Sequence, residues 1–294
     1  MDFWQVILNT LSFFALMMAT LSFWVKRTFW LWGTFTLLAL LLGYQAKIIG
    51  PVGLIPLTLL GISHWMIVHK ATTGHPRNVF IGLAVILSIG LNFHLFPGFQ
   101  NWKFAESLTL GEGATSYTFW INFDKPFIGI FLLAWMIPLA QSKIEIVKIL
   151  KKAIPLSILG TALMIGLSLY LGVIKWDPKL PWIICIWPLT NLFFAVIPEE
   201  AFFRGFIQEE IFQRFKPFTG LASIFAVSLT AVFFALMHIG WVRDPTFLSL
   251  VFVAGCVYGT IYQLTKSIES SILCHILVNL THILLFTYPT LQHK

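Results

Sequence analysis

Of 294 residues, 58% are hydrophobic and only 11% are charged, against about 25% charged in an ordinary soluble domain. A water-facing fold of this size needs more polar surface than the sequence supplies, so a soluble globular protein is excluded and a bilayer must replace water. The net charge of +7 does not signal nucleic acid, because basic residues fall in pairs such as Lys26-Arg27 and Lys151-Lys152 between apolar runs, as in the loops of membrane proteins.

A span needs about 20 mostly apolar residues. On that basis the apolar runs predict helices over 5–25, 28–44, 49–68, 78–97, 126–141, 153–173, 182–197, 219–238, 247–264 and 270–288. Gly50-Pro51, Pro188 and Pro198 are positioned to kink or interrupt them. The expected fold is therefore all-α, a polytopic integral membrane helical bundle of about 8–10 transmembrane helices. The first run has no basic residue before Gln5-Val6-Ile7-Leu8 and no small-x-small site before Lys26-Arg27, so it reads as a retained span. Trp24, Trp30 and Trp32 suit an interfacial belt. An outside N-terminus puts most basic residues in the inner loops, which favours both termini outside.

The longest polar stretch, 98–125, contains Asn101, Lys103, Glu106, Glu112 and Asp124. It divides the chain into residues 1–125, of unassigned role, and 126–294, which hold the chemistry. Cys185, Cys256 and Cys274 lie in apolar runs without paired spacing, so they read as small buried hydrophobes rather than a disulfide or metal framework.

Ionisable groups at membrane depth are costly, and each asks for a reason. Three clusters stand out after residue 190. In Pro198-Glu199-Glu200-Ala201-Phe202-Phe203-Arg204-Gly205, Pro198 suits the first turn of a restarting helix. Helical spacing there pairs Glu200 with Arg204 and turns Glu199 about 100° away, available for other work. Glu209, Glu210 and Arg214 repeat the spacing, but Lys216-Pro217 follows and marks a charged interfacial helix end with an ordinary surface salt bridge. The second cluster is Phe234-Ala235-Leu236-Met237-His238, whose plain reading is an interfacial histidine bonded to a loop carbonyl. In the third, His275 and Asn279 share a helix face that His282 continues, and the plain reading is a packing ladder.

Together these groups can activate water. A carboxylate aided by a histidine serves as general base, and histidine and asparagine donate to an oxyanion. Two histidines and a glutamate can equally hold zinc.

The three clusters, in this order, resemble the CPBP family, the CAAX-protease and bacteriocin-processing (Abi) intramembrane endopeptidases. The family's Glu-Glu-x-x-x-Arg, Phe-x-x-x-His and His-x-x-x-Asn read here as Glu199-Glu200-Ala201-Phe202-Phe203-Arg204, Phe234-Ala235-Leu236-Met237-His238 and His275-Ile276-Leu277-Val278-Asn279. The resemblance covers a core of about 182–288 and implies an active site inside the bilayer. It implies that Glu199 with His238 activates water, that His275 and Asn279 form the oxyanion hole, and that Glu200 and Arg204 support them. The implied activity is hydrolysis of a peptide bond in a membrane-embedded or lipid-linked protein or peptide substrate. The style of the chain points to a bacterial inner membrane, crossed several times, and the placement of its basic residues to no nucleic-acid partner. The other reading is a non-catalytic membrane protein, either an immunity or partner-binding factor or a small-solute transporter. A transporter predicts symmetry between halves, and the sequence has none.

No cofactor is expected. The chain has no His-Glu-x-x-His, and Asn279 is a weak zinc ligand but a good oxyanion donor. If zinc is bound, its ligands are Glu199, His238 and His275.

Overall fold

The structure, a computed structural model, describes residues 3–70, 73–240 and 244–292. Helices account for 71% of the described residues, as the all-α reading requires. Six are long and apolar enough to cross a bilayer among the described residues: Phe3–Val25, Pro51–His69, Gly74–Asn92, Lys143–Tyr170, Pro245–Thr265 and Ile268–Leu285. Phe29–Gln45, Pro126–Trp135 and Ala222–Leu236 are shorter apolar helices. In chain order α1 is Phe3–Val25, α2 Phe29–Gln45, α3 Leu54–His69, α4 Gly74–Asn92, α5 Pro126–Trp135 and α6 Lys143–Tyr170.

Two regions depart from the expected spans. The run over 182–197 is not one helix. It breaks into a 3-10 turn Trp182–Cys185, α7 (Trp187–Asn191), a π turn Leu192–Val196, α8 (Ile197–Glu200), a second π stretch Ala201–Gln208 and α9 (Glu209–Phe215). Pro188 and Pro198 each sit in the first turn of the short helix they open. A proline has no N–H for the ladder, so it starts a helix well and interrupts a continuing one. Within the polar stretch 98–125 the chain forms a small sheet of β1 (Trp102–Leu108) and β2 (Tyr117–Ile121). Its aromatic residues (Trp102, Phe104, Tyr117, Phe119, Trp120) are strand formers. The connection turns through Gly111 and Gly113, whose φ values of 125° and 70° suit glycine.

Packing divides the chain into two compact units. The first comprises Met1–Trp102, Ile121–Gln141 and Phe193–Phe202. In it α1 packs on α2 and α5, α3 on α4 and α5, and α5 on α8. Gly129 permits that last contact, since a Cβ there would stand 3.1 Å from Pro198 Cα. Phe13 meets Phe123 and Phe194, each with ring centroids 5.5 Å apart.

The second unit comprises Lys103–Trp120, Ser142–Leu192 and Phe203–Lys294. Its remaining helices are α10 (Ala222–Leu236), α11 (Pro245–Thr265) and α12 (Ile268–Leu285). Here α6 packs on α11 and α12, α10 on α9 and α11, and α12 on α7 and α11. The segment after α12 is tied down by Thr287 N–H to the Lys175 carbonyl and Leu291 N–H to the Val173 carbonyl, at 3.0 and 2.8 Å. Cys274 is buried as expected, whereas Cys185 is exposed. Its short 3-10 turn leaves it on the surface of this unit.

Candidate active site

The first unit holds Glu199 and Glu200. Both lie in the opening turn of α8, behind Pro198, and are buried at 9% and 0% exposure. Lys125 meets Glu199 there: Nζ donates to Oε1 at 2.6 Å, with the two side chains only 13% and 11% exposed. Taking a carboxylate out of water is costly unless a charge and hydrogen bonds compensate, and Lys125 provides both.

Lys125 is itself held in place. It is the N-cap residue of α5, and its N–H donates to Asp124 Oδ1 at 2.9 Å. Asp124 Oδ2 lies 2.7 Å from His94 Nδ1, and Phe123 N–H donates to Asn101 Oδ1 at 2.8 Å. One helical turn beyond Lys125, Gly129 brings α5 against Pro198, the residue before Glu199.

The second unit holds Arg204, His238, His275 and Asn279. The Arg204 guanidinium is fully buried, 4.6 Å from the Phe234 ring centroid and 5.4 Å from that of Tyr258. Its Nη2 donates to the Gly255 carbonyl at 3.3 Å. Gln208 follows, and its Nε2 donates to the Gly259 carbonyl at 2.9 Å. Both carbonyls are reachable because α11 presents Gly-x-x-x-Gly to its neighbours. A Cβ at 255 would stand 3.0 Å from Ala231 Cα, and one at 259 would stand 2.7 Å from Gln208 Oε1. Small residues at this spacing let apolar helices approach closely in a membrane.

His238 follows the C-terminus of α10, where the last carbonyls lack intrahelical partners. Its Nδ1 lies 2.7 Å from the Phe234 carbonyl, so the carbonyl partner belongs to its own helix rather than to a loop. A carbonyl only accepts, so Nδ1 carries the proton and Nε2 of the neutral ring is the accepting nitrogen. Its ring centroid is 4.6 Å from that of Phe234. His275, 6% exposed, stacks on Tyr258 at 4.5 Å and meets Phe234 edge-on at 6.2 Å. One phenylalanine ring thus contacts the motif arginine and both motif histidines. Asn279 reaches elsewhere, with Nδ2 donating to Asn191 Oδ1 of α7 at 3.0 Å. His282 does not continue the ladder: its Nε2 lies 3.1 Å from the Thr287 carbonyl, in the segment after its own helix.

Lys125, Asn191, Gln208 and Tyr258 were not singled out in the sequence. Gly255-x-x-x-Gly259 was readable there as a close-packing signal. Asn191, the single amide in an otherwise apolar run, was a weaker one. Within each unit, no three His, Cys, Asp or Glu side chains among the described residues stand together as a metal-binding group.

The apolar helices make the chain a multi-pass integral membrane protein. Within that class, the family model described as type II CAAX prenyl endopeptidase Rce1-like matches residues 181–281. The match bears out the resemblance of the motifs, and Glu199, Glu200, Arg204, His238, His275 and Asn279 all lie inside it. Lys125 lies outside. No curated protein and no solved structure matches the chain.

Proposed function

We propose that the chain is an intramembrane endopeptidase of a bacterial inner membrane, hydrolysing a peptide bond in a membrane-embedded or lipid-linked protein. The family description, a prenyl endopeptidase, favours the lipid-linked kind. The observation that carries the proposal is the match over 181–281, with every motif position filled by a residue able to do its chemistry.

In this reading Glu199, aided by His238, takes a proton from water as the oxygen attacks the scissile carbonyl carbon. The oxyanion of the tetrahedral intermediate accepts hydrogen bonds from His275 and Asn279. The intermediate collapses, the C–N bond breaks, and the proton held by Glu199 passes to the leaving amine. The products are a carboxylate and an amine. General-base catalysis of this kind contributes about 10²–10⁴-fold, and one oxyanion donor about 10²–10³-fold. Arg204 and Glu200 support the arrangement. Asn191 accepts one Asn279 N–H and fixes the amide, which leaves the second N–H to donate.

The proposal includes water activation without a bound ion. The donor set supports it, because Glu199 Oε1 already holds an ammonium at the position a metal ligand would offer to an ion.

One observation favours the non-catalytic reading: a glutamate held by a lysine is also what a purely structural ion pair looks like. The two readings separate in bilayers containing candidate membrane substrates, with wild type compared against Glu199→Ala and Glu199→Gln. Loss of a cleavage product at equal protein abundance supports the protease. A product that persists in both variants, or variants that fail only by vanishing from the membrane, overturns it.

A further inference from the structure

We infer that Lys125 is a positioning residue for Glu199, contributed by a part of the chain that the family match does not include. The inference rests on the reading of Glu199 as the base and deepens it.

Stability alone is a poor reason for the Lys125–Glu199 pair. Both side chains are nearly buried, and replacing a buried ion pair with apolar groups of similar size is often neutral or stabilising. The surrounding chain nevertheless fixes the pair from both sides. On one side, Pro198 opens α8 and sets Glu199 in its first turn. On the other, Lys125 occupies the N-cap position of α5, its N–H is held by Asp124, and Asp124 is held by His94. Gly129 then sets the distance between α5 and α8, because any side chain there would push Pro198 away. Three local features of the sequence, Asp124-Lys125, Gly129 and Pro198, thus converge on one distance of 2.6 Å from Nζ to Oε1.

The consequence is chemical. With Oε1 on the ammonium, the carboxylate is held in one orientation from which it takes the proton from water. The ammonium also supplies the charge that keeps a desolvated carboxylate ionised, which a base requires before it acts. The other ionisable groups on these elements are Glu200, next to Glu199 on α8, and Asp124, whose oxygens bind the Lys125 N–H and His94.

The test uses the full chain in bilayers with a cleavable membrane substrate and compares Lys125→Met, Lys125→Arg and Glu199→Gln. Protein abundance and thermal stability are measured beside kcat and KM across pH. Lys125→Met is expected to lower kcat at neutral pH by about 10–100-fold, with KM little changed. The acid limb of its pH–rate profile moves up by about 1–3 pH units, so activity recovers on the alkaline side. Lys125→Arg restores the wild-type limb. A merely structural lysine would cost abundance while leaving the profile of the surviving enzyme in place, and that result overturns the inference. So does a folded Lys125→Met with wild-type kcat and profile. If Lys125→Met fails to reach the membrane, Lys125→Gln is read in the same way, and an unmoved acid limb counts against the inference. Glu199→Gln separates the two levels. If it is inactive while the lysine variants are normal, only the positioning role falls; if it cleaves normally, the base assignment falls and takes the role with it.

Discussion

The chain writes Glu-Glu-x-x-x-Arg twice within sixteen residues, at 199–204 and 209–214, and folds the two copies differently. In the first, Glu199, Glu200 and Arg204 are 9%, 0% and 0% exposed. In the second, no residue of α9 is buried, and Arg214 Nε stands 3.9 Å from Glu210 Oε2 with its side chain 48% exposed. The second copy is regular α-helix, so residues four apart share a face and pair as the spacing dictates. In the first, α8 ends at Glu200 and the wider π ladder begins at Ala201, which changes the number of residues per turn. Arg204 lies against Phe234 and Tyr258 and donates to the Gly255 carbonyl, and Lys125 meets Glu199. Identical spacing gave an exposed ion pair in one place and buried charges in the other. What differs is the sequence around each copy: Pro198 and phenylalanines about the first, Lys216-Pro217 after the second.

The sharpest way to break this comparison is at the acids. Glu199→Ala is expected to abolish cleavage, a loss of at least about 10²-fold for a general base, while Glu209→Ala and Glu210→Ala retain most of it. Proteolysis of one membrane substrate, normalised to folded protein, measures all three. Comparable losses in Glu209→Ala and Glu199→Ala would mean that burial is the wrong criterion for choosing between the copies.

The arginines come next. Arg204→Ala leaves the Gly255 carbonyl without that donor and empties the space over Phe234, a cost of about 1–3 kcal/mol in stability together with reduced activity. Arg214→Ala, at an exposed pair, is expected to change stability by no more than about 0.5 kcal/mol. Thermal unfolding in one detergent compares them, and equal shifts would remove the distinction. Gly255→Val probes the same clamp from its other side, because a Cβ added there would stand 3.0 Å from Ala231 Cα. Overpacking of that kind costs about 1–3 kcal/mol. A wild-type melting temperature in Gly255→Val would show that α10 and α11 are not closely set at this point.

The comparison also explains what the sequence disclosed. Long apolar runs announce themselves because a bilayer demands them, so the membrane class and spans such as 5–25, 247–264 and 270–288 were legible and lie close to α1, α11 and α12. The breakage of 182–197 was only half legible: Pro188 and Pro198 marked where the ladder opens, but nothing local specifies that it reopens as π turns. The sheet at 102–121 hid inside a stretch judged on polarity, although Tyr117-Thr118-Phe119-Trp120 favours strand. Of the candidate site, the six motif residues were named from the sequence alone, whereas their partners largely were not. Lys125 is separated from Glu199 by 74 positions and Asn191 from Asn279 by 88, and no periodicity links such residues. Only the Gly255-x-x-x-Gly259 stripe advertised its role in the local text.

The smallest expected effect is that of removing metal. In the first copy the positive charge beside the base comes from the chain itself, since Lys125 Nζ contacts Glu199 Oε1. A zinc ion on that oxygen would have to displace the ammonium or sit beside it, and two cations sharing one carboxylate repel each other. His238, with Nδ1 on the Phe234 carbonyl, has the oriented ring that suits a metal ligand or a base equally, so geometry at the histidine leaves the decision to the carboxylate. Extensive dialysis of the purified active enzyme against a chelator is therefore expected to leave kcat unchanged, with metal analysis finding less than stoichiometric zinc. Lys125→Met sharpens the experiment, because without the ammonium the carboxylate becomes available to an ion. Activity that zinc restores in this variant but does not alter in the wild type would identify the lysine as the resident substitute for a metal charge. Stoichiometric zinc in the wild type, whose removal stops cleavage and whose return restores it, would instead place Glu199 with His238 and His275 around an ion and reduce Lys125 to a bystander.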